Sequence, residues 1–203
     1  ITDIDDKIID RAWERKVPTR SLAREFERSY YRDMRRLGVV SVDRHARAAD
    51  YIAEIQDQIT RLVAGGYAYV TRNGVYFSVR KFEGYGRLSG QDIKALRAGW
   101  RTDPDPDKRD SLDFAIWKFK KHEYEPSWES PWTSALRPDG GGRPGWHIED
   151  TAIAEKEFGL SYDIHGGGMD LKFPHHESEI AIAQSLSALV RAGKPAPFAR
   201  LWI

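Results

Sequence analysis

Apolar residues recur at helical spacing in two early stretches. Leu22, Phe26, Tyr30 and Leu37 share one face of residues 18–38, and Gly38 follows the last of them. Ala48, Ile52, Ile55, Ile59 and Leu62 form a second stripe over 44–64, closed by Gly65 and Gly66. Charged residues fill the other faces. The pattern predicts two amphipathic helices that turn their stripes to the core as an antiparallel hairpin. A third helix is predicted from Pro174, whose missing N–H costs nothing at a first helical position, to about Arg191, with Gly193 just past its end.

Between these stretches the pattern is that of strands and turns. "YAYVTRNGVYFSV" sets Asn73-Gly74 between two β-rich runs, the signature of a two-residue hairpin turn. "LDFAIWKFKK" predicts a strand with Phe114, Ile116 and Trp117 as its apolar bulk. Residues 83–111 are polar and turn-rich, most of all in "RTDPDPDKRD", and predict a solvated loop or linker. The stretch from Tyr124 to Asp150 is rich in Pro, Gly and Trp. It predicts irregular backbone, with Trp128 and Trp132, like Trp117 before them, as packing anchors. Thr151 to Phe158 reads as a short helix ended by Gly159, "LSYDIHGGG" as a strand entering a glycine turn, and "PFARLWI" as a further strand. Strand, loop, helix and strand in that order predict a parallel α/β unit.

Composition adds mainly exclusions. A length of 203 residues allows one large domain or two small ones. No apolar run nears the roughly 20 residues of a membrane-spanning helix, and no secretory or transit signal opens the chain. The cysteine count is zero, which excludes disulfides and thiolate metal ligands within these residues and fits a cytoplasmic protein. Lys and Arg total 32 against 31 Asp and Glu, so bulk charge does not announce a nucleic-acid partner and leaves room only for a local basic patch. The chain opens "ITDIDDKIIDRAW" without methionine and ends "FARLWI" without a polar tail. Both ends read as cuts through a core, so an internal piece of a longer protein, or its ordered part, is expected.

Several residues are suited to chemistry. His175 and Glu179 are four apart on the predicted helix, which puts an imidazole and a carboxylate on one face where they can share a divalent ion. Asp150, at another predicted helix start, would supply a third ligand. The competing readings are an N-cap for Asp150 and a surface helix pair for the other two. Gly166, Gly167 and Gly168 follow a strand, where a backbone without Cβ atoms can approach a nucleotide, and Asp170 would accept hydrogen bonds from ribose hydroxyls. The spacing matches neither a dinucleotide fingerprint nor a P-loop, and a tight structural turn competes. Trp146 and His147 in "GWHIE" suit closure over a small ligand or a place in the core.

Taken together, "ITDIDDKII", "LDFAIWK", "RPGWHIE" and "YDIHGGGMDLKFPHHESEIAIAQS" resemble cysteinyl-tRNA synthetase in order and spacing, over nearly the whole chain. The resemblance implies a class I synthetase α/β fold: a Rossmann-like catalytic domain, here partial, split by an α+β connective insertion. Residues 1–12 would end its first half, 13–135 would form the insertion, and 136–203 would open the second half with the zinc and adenylate site. It implies ATP-dependent activation of cysteine, with Mg2+, and transfer to tRNA(Cys). It further implies Zn2+ gripping the substrate thiolate, His175 and Glu179 as zinc ligands, Trp146 and His147 at the amino acid, and His165, Gly166 to Gly168 and Asp170 lining the adenylate pocket. Where the family carries its second cysteine ligand this chain holds Asp150, as archaeal-type members with "IEDTAIAEK" do. The family's HIGH-type motif, KMSKS loop and anticodon-reading domain would lie outside these residues, so catalytic groups are not expected within them. The remaining alternatives are a relative joining cysteine to a small amine acceptor, and a truncated synthetase-like binding module.

Overall fold

A computed structural model of the chain describes residues 1–93, 106–135, 138–191 and 194–203. Gly193 and the middle of the predicted 83–111 loop lie outside the described residues. Helix α1 (Asp6–Glu14) begins at Asp5, whose carboxylate accepts from the Lys7 N–H at 2.9 Å. Helix α2 (Thr19–Arg36) packs on α1, and α3 (Ile52–Ala64) follows a short 3-10 turn at Ala48–Asp50. Strands β1 (Ala68–Val70), β2 (Gly74–Phe77), β3 (Phe114–Phe119) and β4 (Gly142–Pro144) form an antiparallel sheet in that order. Then come α4 (Trp146–Phe158), β5 (Tyr162–His165), α5 (Glu177–Val190) and β6 (Ala199–Trp202). Strands β5 and β6 pair in parallel around α5, as the α/β pattern predicts.

The second stripe becomes α-helix only from Ile52, eight residues after its predicted start, and from there its apolar positions face the core as the periodicity requires. Ile55, Ile59 and Leu62 are fully buried and pack with Phe77, Ile116 and Trp117 from the sheet, Ile148 from α4 and Ile182 and Leu186 from α5. This continuous apolar core fixes α4 and α5 side by side. A smaller cluster of Ala154, Ala183 and Phe198 ties β6 to the same two helices.

Four expectations are corrected. First, the α2 stripe is not a core face, and α2 lies on α1 rather than along α3 as a hairpin. Leu22 is buried, but Phe26, Tyr30 and Leu37 are 59%, 41% and 72% exposed. Glu27 on the same helix is buried instead, held by Arg47 at 2.6 Å and Arg24 at 2.8 Å, so an ion network does part of the docking. Second, the β1–β2 turn is shifted by one residue. The Thr71 N–H donates to the Gly74 carbonyl at 2.8 Å, making Arg72-Asn73 the central pair. Gly74 is needed for another reason: a Cβ there would sit 2.1 Å from the Trp117 carbonyl oxygen. Third, α4 begins at Trp146, five residues before the predicted start, so Asp150 lies within the helix and is not its N-cap. Gly145 holds that position, with no side-chain cap. Fourth, the described start of the 83–111 segment is not free linker: Tyr85 is buried, and the N–H groups of Gly86 and Ser89 donate to Glu177 at 2.9 and 2.7 Å.

Candidate active site

Because α4 starts at Trp146 and α5 starts just past Pro174, their N-terminal turns lie next to each other, and the residues singled out from sequence converge there. His175 is buried, with Nε2 3.1 Å from the Asp150 carboxylate and 3.8 Å from that of Glu179. Its Nδ1 is hydrogen-bonded to Nδ1 of His147 at 2.8 Å. That contact fixes the ring so that Nε2 faces the two carboxylates. Trp146 is stacked flat on His175, with centroids 4.0 Å apart and planes 16° apart, while remaining 38% exposed. It forms one wall of the site.

The carboxylate of Glu179 is fully buried, and neither oxygen has a hydrogen-bond partner. Burial, with Asp150 adding repulsion, pushes its carboxyl well above the usual range. His165 also approaches it, with Nε2 3.4 Å from the same carboxylate. Asp150, His175 and Glu179 offer ligand atoms within 4.8 Å of one another, and so do His165, His176 and Glu179. Burial and the neighbouring His176 push His165 down to about 4, so its imidazole is neutral at physiological pH and able to ligate. A buried acid with open oxygens beside imidazole nitrogens and a second carboxylate fits a divalent cation.

The glycine turn follows the C-terminal end of β5, and the Gly167 N–H continues the pairing by donating to the Ile203 carbonyl at 2.9 Å. Gly167 has a packing reason to be glycine, since a Cβ would lie 2.3 Å from the His176 ring. Gly166, Gly168 and Asp170 are exposed at the rim, next to His176, whose imidazole is pushed down by burial and by the neighbouring His175. The rim is thus an open backbone shelf beside the ionisable cluster, at the strand end where open α/β sheets bind ligands.

Sequence reasoning passed over Glu149. It is 1% exposed, both its oxygens lack partners, and burial together with Asp150 raises its carboxyl well above the ordinary value. The only signal was its place beside Asp150 on a helix whose start was misjudged.

A family model described as the tRNA synthetases class I (C) catalytic domain matches residues 1–202. The cysteine–tRNA ligase of Thermoplasma volcanium is 54% identical over 187 residues, which are 92% of this chain and 39% of that protein. Those of Desulforamulus reducens and Aquifex aeolicus are each 48% identical over 202 residues, 100% of this chain and 38% of theirs. The chain spans about two fifths of the length of these curated relatives. Among the described residues no helix is long and apolar enough to cross a membrane.

Proposed function

The chain belongs to the family of class I tRNA synthetase catalytic domains, and from that premise we propose that it forms the cysteine-selecting and adenosine-binding part of a cysteine–tRNA ligase. In this reading the whole protein activates cysteine with ATP and Mg2+, releasing pyrophosphate, and passes the cysteinyl group to tRNA(Cys) in the cytoplasm. Residues 13–135 serve as the connective insertion between the two halves of a Rossmann-like domain.

The observation that carries the reading is the carboxylate of Glu179: fully buried, without a hydrogen-bond donor, and facing His175 and Asp150. Such a group is costly unless a cation meets it. His175, Glu179 and Asp150 would hold Zn2+. Bound there, the ion supplies a soft Lewis acid for the substrate's thiolate and so separates cysteine from serine, which a pocket of matching size separates poorly. Asp150 in place of a thiolate makes the donor set harder, while the imidazole keeps it within the range zinc accepts.

The chain's other residues bind and orient. His147 holds His175 in position through the Nδ1 contact, and Trp146 covers the same ring and shields the cysteine side chain from water. The backbone of Gly166 to Gly168 receives the adenosine, Asp170 accepts from ribose hydroxyls, and His165 lines the inner edge of that shelf. No group among these residues is assigned to the chemistry at the phosphates.

The test is amino-acid-dependent ATP–pyrophosphate exchange by the full-length protein. Cysteine is expected to drive exchange and serine to fail. Comparable exchange with both amino acids would defeat the thiolate-selection argument.

A further inference from the structure

Glu179 is approached by two groups of donors that share nothing else: Asp150 with His175, and His165 with His176. Both nearer imidazoles point at the same oxygen, Oε2, His165 Nε2 from 3.4 Å and His175 Nε2 from 3.8 Å. A carboxylate offers about four lone-pair positions on its two oxygens. Neither oxygen of Glu179 has a hydrogen-bond donor, so one ion at His175 and Asp150 does not exhaust it. Ligand atoms around one tetrahedral zinc ion lie about 3.3 Å apart, given bonds of roughly 2.0 to 2.1 Å. The contact of His165 with Glu179 already has that spacing. His165 is also held in place. The Tyr162 hydroxyl is hydrogen-bonded to its Nδ1, the kind of partner that orients a metal-ligating imidazole. Its ring packs against Trp202 at 4.4 Å and edge-on to His176 at 5.3 Å. His176 fits beside it because Gly167 has no Cβ, which would lie 2.3 Å from Nε2 and Cε1 of that ring.

Two imidazoles and a carboxylate are a donor set that zinc accepts, with a fourth position left open. The set is softer than one imidazole with two carboxylates, so it selects zinc, cobalt or nickel over magnesium. We propose that His165, His176 and Glu179 form a second position for a zinc-type divalent ion, beside the one at His175 and Asp150, with Tyr162 as the residue that positions His165. Two cations across one carboxylate repel each other, so the second ion is held more weakly than the first and exchanges with free metal. The proposal deepens the zinc reading, with which it shares Glu179, and is tested apart from it.

The experiment is equilibrium dialysis of the full-length protein against Zn2+, with bound metal counted per chain. The wild type is expected to take up about one zinc beyond the tightly held ion. His176→Gln is expected to weaken that further uptake at least about tenfold and to keep the tight ion. Tyr162→Phe, which removes only a hydroxyl, is expected to weaken it about tenfold. If His176→Gln does not fold, Tyr162→Phe carries the test, since a ring of the same shape remains. No further uptake by the wild type, or further uptake undiminished in these variants, overturns the proposal. So does loss of the tight ion together with the added one in His176→Gln, which would mean a single position. His175→Ala reports on the other position: it is expected to release the tight ion and to leave the uptake that depends on His176. A wild type without a tight ion that still takes up zinc through His176 would contradict the reading at His175 and support this one.

Discussion

Asp113 in the sheet region and Glu179 at the start of α5 are both fully buried carboxylates, and the fold treats them in opposite ways. Asp113 accepts from the Tyr69 hydroxyl at 2.6 Å and from the N–H groups of Val79 at 2.9 Å and Asp110 at 3.1 Å. It ties β1, the turn after β2 and the entry to β3 together. Glu179 accepts from nothing. The contrast recurs along α5 itself: two residues earlier, Glu177 accepts from Gly86 N, Ser89 N and Ser89 Oγ at 2.7 to 2.9 Å. Burial does not separate an acid that holds the fold from one kept for a ligand. The inventory of donors does.

The largest expected effect is in the sheet. Asp113→Ala leaves one hydroxyl and two N–H groups without their acceptor, at a cost of about 3 kcal/mol in unfolding free energy, measured by denaturant titration. Glu179→Gln should move the other way in metal-free protein: stability unchanged or raised by about 1 kcal/mol at neutral pH, because folding no longer has to bury or protonate an ionisable acid that has no hydrogen-bond donor. Equal destabilisation by the two substitutions would erase the comparison.

The smallest effect is a pH dependence at Glu149. Its carboxyl is raised in the folded protein, so the native state holds this proton to higher pH than the unfolded chain does. The associated stability is present below the ordinary value of about 4.3 and is lost as pH rises through the raised native value. The melting temperature of the wild type should therefore fall relative to that of Glu149→Gln as pH goes from about 4 to about 7. Parallel curves would show that the buried acid does not titrate as proposed.

The two regions also differ in how far the sequence foretold them. The α3 stripe, the β3 run and the β5–α5–β6 unit were legible because periodicity reports which side of an element is apolar, and their apolar sides meet one core. The α2 stripe was equally clear but misled. Periodicity names no partner, and α2 meets its neighbours partly through Glu27, Arg24 and Arg47. At the site, the one-turn spacing of His175 and Glu179 was readable, and their approach to Asp150 followed from α4 and α5 packing together. The true start of α4 was hidden because Gly145 caps it without a side chain, leaving Asp150 as the more obvious cap. Nothing local marks Glu149 as unpartnered. Its surroundings include Asp3 and Asp5 from the far end of the chain, and only the fold brings these together.

The central claim is that the orphaned carboxylate of Glu179 is a cation ligand. The most direct test is the zinc content of purified full-length wild type and Glu179→Gln, measured by elemental analysis under identical conditions. About one zinc per chain in the wild type and a small fraction of that in the variant is the expected result. Equal zinc in both proteins would contradict the account.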